Sequence, residues 1–231
     1  MVLQIAAWML SGFYFSLVPI EEIRGEHLTR EPEAPGRQMV ERALPTDLTM
    51  AAIDDHFERN WELGSMSLQS TGEIGSWRVE GVVGEEPFIR LVDFKTAQVR
   101  PQLTEDEAKH RAQQLLLKPA NALLVEWVKE APSNLEFRGR ALPVWRVSFT
   151  EPENLHLYLD PWTGDLLARR TDRWRIFDFL WMLHIMDYDT RDDFNHPLLQ
   201  IAALMGLFVT LGGLILWALT TRTFRKKQRI S

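Results

Sequence analysis

"VWRVSFTEPENLHLYLDPWTGDL", residues 144–166, decides the fold because an earlier stretch repeats its plan. Residues 76–99 read "SWRVEGVVGEEPFIRLVDFKTAQV". Trp77, Arg78 and Val79 align with Trp145, Arg146 and Val147; Asp93 aligns with Asp160, Thr96 with Thr163 and Val99 with Leu166. The period of 67 or 68 residues is long for a solenoid and suits a tandem small domain.

Outward from these motifs each copy has the same plan, a helix followed by strands. Residues 104–117, "TEDEAKHRAQQLLL", open with Thr104 and carry Glu107 three positions on, a capping box. Ala108, Ala112, Leu115 and Leu116 then keep helical spacing. "ALLVEWVKE" (122–130), "PVWRVSF" (143–149), "LHLYLD" (155–160) and "LLARR" (166–170) read as strands, with "DPWTGD" (160–165) as a turn. In the first copy "LTMAAIDDHFERN" (48–60) is the predicted helix with Thr49 as its cap. "ELGSMSLQS" (62–70), "SWRVEGVV" (76–83) and "PFIRLVDF" (87–94) are its strands. The expected fold class is α+β: two units of one helix on a small antiparallel sheet, over 46–103 and 104–172, after a linker at 21–45.

The chain ends differ in kind. Residues 1–20 carry no charge and, as a helix, would span about 30 Å, the thickness of a bilayer core. With no basic leader and no small-x-small cleavage site, this run reads as an uncleaved anchor rather than a signal peptide. A second uncharged run covers 197–219, and Arg222, Arg225, Lys226, Lys227 and Arg229 follow it without an acid. The positive-inside rule puts this tail (220–231) in the cytoplasm. Removing its five charges from the formal −6 leaves −11 on the segment between the runs, which is expected outside, with both chain ends inside. The absence of cysteine fits an oxidising compartment without disulfides, as it fits many cytosolic proteins.

"TEDEA", "PVWRVSF" and "LYLDPWTGDLLARR" together resemble the PepSY domain, whose most recognisable element is a strand ending in Asp-Pro-x-Thr-Gly. With the apolar runs, "WRIFDFLWMLHIMDYDTRDDFNHPLL" (174–199) resembles the PepSY-associated transmembrane family. In the first copy Phe94 and Ala97 stand where the second has Pro161 and Gly164. The resemblance implies a bacterial inner-membrane protein with a periplasmic PepSY pair, a binding or accessory module serving a membrane complex. Larger relatives resemble haem-carrying reductases of ferric siderophores. The alternative is therefore a haem b component of a membrane electron-transfer system, with iron reduction as its task.

Asp160, Pro161, Thr163 and Gly164 need only turn geometry to explain them, and Trp77 and Trp145 suit core or inter-repeat packing. His27, His56, His110 and His156 are scattered singly and read as surface positions. No Gly-rich phosphate loop, H-E-x-x-H, G-x-S-x-G or thiol nucleophile is present, so no catalytic constellation is expected. Basic patches outside the tail are absent, which argues against nucleic acid.

Trp174, Phe177, Trp181, His184 and Tyr188 fall on one helical stripe, suited to an interfacial helix within 173–196 that ends in an acidic turn. Pro197 would then start the second span. Two sharper readings accompany this one. His184 and His196 are candidate haem ligands, His184 matching a Leu-His pair of the larger relatives; the first run holds no histidine, so a second ligand from there would require a longer start or another subunit. Asp187, Asp189, Asp192 and Asp193 have the carboxylate density of a divalent-metal site but lack the glycine and terminal glutamate of an EF-hand. Gly206, Gly212 and Gly213 would permit close helix packing with the first run, a partner protein or a second copy in a homo-oligomer.

Overall fold

A computed structural model describes residues 2–31, 36–71, 74–130 and 136–228. In chain order the elements are α1 (Val2–Leu17), α2 (Ile20–Ile23), α3 (Arg37–Glu41), α4 (Thr46–His56), β1 (Glu62–Thr71), β2 (Ile74–Val83) and β3 (Glu86–Asp93). Then follow α5 (Glu105–Leu115), β4 (Leu124–Val128), β5 (Val144–Ser148), β6 (His156–Leu159), β7 (Leu166–Arg170), α6 (Asp172–Ile185) and α7 (Pro197–Gln228). They form two units, Arg24–Asp172, and Met1–Ile23 with Arg173–Ser231.

In Arg24–Asp172 the two antiparallel sheets have strand orders β1-β2-β3 and β4-β5-β6-β7. Each repeated Trp-Arg-Val lies on an inner strand, β2 or β5, where apolar residues are covered. In the first repeat Ile53 of α4 packs on Val79, Phe88 and Val92. In the second, Ala112 and Leu115 of α5 pack on Val147, Leu157 and Leu159. Tyr158 points to the other face of that sheet and joins Phe137, Val144 and Ala168, so β6 is buried on both sides.

The repeat is visible in single hydrogen bonds. Trp77 Nε1 donates to Leu44 O at 2.7 Å and Trp145 Nε1 to Leu103 O at 3.0 Å, each acceptor two residues before its repeat's helix. Asp93 Oδ1 accepts from the amides of Lys95 and Thr96, and Asp160 Oδ1 from those of Trp162 and Thr163. Both are Asx-type turns, and both need a left-handed residue at the same place: Gly164 at φ 70° and Ala97 at φ 55°. Because a Cβ is disfavoured there, Ala97→Gly should stabilise the protein by roughly 0.5–1 kcal/mol and Gly164→Ala should destabilise it by about the same. Denaturant midpoints of the two variants check this.

The capping box forms as expected, with Thr104 and Glu107 bonding each other's backbone. Thr49 is not a cap. The first-copy helix starts earlier, at Thr46 after Pro45, and leaves Thr49 buried within it, its hydroxyl donating to Pro45 O. Part of the expected linker is structured too. Thr29 bridges to Leu116, so residues 28–30 run beside the end of α5, whereas 32–35 lie outside the described residues.

In the other unit one helix is long and apolar enough to cross a membrane, over Pro197–Thr221. It begins at Pro197, where a missing amide costs nothing. The first apolar run is shorter than expected. α1 has 16 residues, about 24 Å, because Pro19 lacks an amide and disfavours the helical conformation at Val18. A Cβ placed at Gly212 or Gly213 would meet nothing within 4 Å, so no described segment of the chain packs closely there. Of the basic tail, Arg229 and residues 230–231 lie outside the described residues.

Candidate functional site

The turn 160–165 joins the two repeats. Asp165 accepts Gln69 Nε2 at 2.8 Å and an ion-paired hydrogen bond from Arg78 Nη1, both donors belonging to the first repeat. Arg78 also bonds Glu80 at 2.7 Å. Trp162 lies under Arg90, its ring centroid 3.8 Å from the guanidinium carbon. Arg111 Nε donates to Gly164 O and Leu103 N to Pro161 O, which fixes the turn to its own repeat. The expected structural role of Asp160, Pro161, Thr163 and Gly164 thus extends to inter-repeat docking through Trp162 and Asp165, two residues whose distant partners leave no local sequence signal.

Beside the second sheet, Tyr158 donates to Glu136 Oε2 at 3.0 Å, and His156 Nδ1 lies 2.8 Å from the same oxygen. His156 is therefore part of a half-buried network and not a surface position. Burial, and then the Glu136 carboxylate, push the Tyr158 phenol up to about 12. The folded protein then keeps a proton that the unfolded chain loses, so this stabilisation is full below pH 10 and falls as pH rises towards 12. Tyr158→Phe should remove that alkaline loss, read from denaturant midpoints at about pH 9 and about pH 11.

In the helical unit the aromatic stripe packs on α1. Phe15 lies 4.8 Å from Phe177, 6.3 Å from Trp181 and 5.6 Å from His184, while Trp181 stacks at 6.3 Å on His184. Tyr188 does not join this stripe: α6 ends at Ile185, Met186 takes φ 59°, and Tyr188 is exposed. Around His184 the contacts are specific. Gln4 Nε2 and Trp8 Nε1 of α1 donate to the carbonyls of Leu183 and His184, and Ser11 Oγ sits 2.7 Å from His184 Nδ1. Ser11 also reaches Ala7 O at 2.7 Å. A hydroxyl that gives its one proton to Ala7 O receives from His184 Nδ1–H, and that tautomer leaves the Nε2 lone pair open. His196 Nε2 is 2.9 Å from Ile185 O.

The acidic turn is ordered around Asp187. Its carboxylate accepts from the amides of Asp189, Thr190, Asp192 and Asp193 and from the Thr190 hydroxyl, at 2.5–3.2 Å. The hydroxyl and these amides hold it far below the usual carboxylate range. Asp189, Asp192 and Asp193 thus offer Asp187 backbone donors, and Asp193 Oδ1 itself accepts Asn195 N. Among the described residues no group of three or more His, Asp or Glu side chains is placed to hold a metal ion. Arg191 Nη1 returns to the buried Asp178 of α6 at 2.5 Å, and Trp181 Nε1 donates to Arg191 O.

The family model described as the PepSY-associated TM region matches residues 13–231. No curated protein and no solved structure matches the chain.

Proposed function

The chain belongs to the PepSY-associated TM region family, and from that premise we propose that it is a membrane-anchored binding or accessory module, with residues 24–172 on the periplasmic side and both ends cytoplasmic. The supporting observation is an open sheet edge. β1 is a ten-residue strand that pairs only with β2 among the described residues, and most of residues 62–67 are exposed. An edge of unpaired amides and carbonyls is a template for a partner's strand. α7 is long and apolar enough to span a membrane and anchors the chain there, and the tail charges favour the cytoplasmic leaflet.

A second reading has one observation in its favour. The Ser11 contact orients the His184 ring and frees Nε2, the relation that a second-shell partner has to a ligating histidine. At His184 one imidazole nitrogen, Nε2, would hold haem iron. His196 fits less well, since a proton given to Ile185 O leaves only Nδ1 for a metal. A bound haem would supply one-electron transfer. The two readings separate in one spectrum of the detergent-purified protein, oxidised and dithionite-reduced, produced with adequate haem supply. The binding-module reading expects no Soret band and no spectral change in His184→Ala or His196→Ala. A stoichiometric b-type spectrum lost in His184→Ala would replace it with the electron-transfer reading.

A further inference from the structure

Between the two repeats, inside the single unit Arg24–Asp172, runs a groove of about 830 Å³, within the size range of ligand sites. Phe57 and Phe88 come to it from the first repeat and Leu142, Pro143 and Trp162 from the second. Arg90 and Arg140 also line it, as do two acids, Asp160 at the turn and the exposed Glu86.

Arg90 differs from Arg78 and Arg146, the arginines of the two repeated Trp-Arg-Val motifs. Arg78 and Arg146 are ion-paired, whereas no described carboxylate bonds Arg90. Its guanidinium lies over two aromatic rings, 3.8 Å from the Trp162 centroid and 5.6 Å from that of Phe57. Nη1 donates to Ile89 O at 2.8 Å, and Nε is buried without a hydrogen-bond partner. Asp160, which shares the groove, makes no hydrogen bond to Arg90 and has Oδ1 engaged by two amides of its own turn. A desolvated cation with spare donors is a strong partner for an anion that brings its own apolar surface.

The backbone adds a donor. Leu91 O accepts from Arg100 N and Asp93 N donates to Gln98 O, so residues 91 and 93 turn their peptide groups to the outer edge of β3. The β2–β3 register is unbroken from Glu86 to Asp93. The period of two therefore puts the Ile89 amide on that same edge, next to Arg90, and no hydrogen bond joins it to another described segment. Pro87, one step earlier, has no amide to offer.

We infer that this groove binds the C-terminal end of an extended apolar polypeptide, its carboxylate held by Arg90 and the Ile89 amide and its last side chain set among Phe57, Phe88 and Trp162. Capture of a chain-end carboxylate by backbone amides and a cation is a recurrent recognition mode. The inference rests on residues 24–172 being a binding module and names what that module takes.

The test titrates the full chain in detergent, by calorimetry, with N-acetylated tetrapeptides ending in Leu, Val or Phe, each as free acid and as C-terminal amide. The acid should bind about tenfold or more tightly than the amide. Arg90→Gln should bring acid binding to within about twofold of amide binding, and Arg140→Gln should weaken the acid less. Equal affinity of acid and amide, no binding of either, or dodecanoate binding more tightly than every peptide would overturn the inference. If Arg90→Gln does not fold, the acid-to-amide comparison on the unaltered chain still decides. A partner crosslinked at β1 with undiminished yield while no tetrapeptide binds would remove the groove and leave the binding module standing.

Discussion

Asp178→Asn should destabilise the helical unit by about 3–5 kcal/mol, the largest effect expected of a single polar change among the described residues. The Asp178 side chain is 4% exposed and its partner Arg191 23%, so the pair is largely out of water. Removing the charge of one member leaves a desolvated guanidinium facing a neutral amide, which costs more than the pair contributes when intact. The loss should spread. Arg191 carries the carbonyl that accepts Trp181 Nε1, and Trp181 stacks on His184, so the loop 186–196 and the aromatic stripe should loosen together. Thermal unfolding in detergent, followed by near-UV circular dichroism, measures this. The double change Asp178→Leu with Arg191→Met should recover much of the loss, because an apolar pair of similar volume carries no desolvation penalty.

Asp165→Ala should cost about 2 kcal/mol. Its carboxylate is the point where Gln69 and Arg78 of the first repeat meet the second, with side chains of Arg78 and Asp165 22% and 32% exposed. Without it Arg78 keeps Glu80, an interaction internal to β2, and the repeats are joined mainly by the Trp162–Arg90 stack. A double-mutant cycle with Arg78→Ala should return a coupling energy of about 1 kcal/mol or more. The corresponding cycle for Glu126 and Arg146, which face each other across β4 and β5, should leave inter-repeat coupling unchanged. Additive effects at Arg78 and Asp165 would mean that this ion pair does not hold the repeats together.

The tandem α+β plan was legible because period-two strands and turn residues are local signals that recur at a fixed interval. Asp93 and Asp160 even build the same turn with different neighbours, Phe94 and Ala97 in one copy, Pro161 and Gly164 in the other. Element ends were less legible. Thr49 has a capping side chain, yet Pro45 three positions before Leu48 lets the helix start sooner. Tyr188 keeps the helical spacing of the stripe, but Asp187 draws the following amides around its carboxylate and the helix stops at Ile185. Long-range pairs were not legible at all. Nothing near Asp165 announces Arg78, 87 residues away, and nothing in α1 marks Ser11 as the neighbour of His184, 173 residues on. Such contacts depend on how the elements pack, which pattern alone does not specify.

Binding along the open edge of β1 is tested most directly by photo-crosslinking in intact cells. A photoreactive residue is placed in turn at Glu62 and Ser67 on β1 and, as a control, at the exposed Lys109 of α5. A membrane-anchored binding module predicts one dominant adduct with a second protein from the β1 positions and none from Lys109. Adducts of equal yield from all three positions, or none from β1, would contradict it.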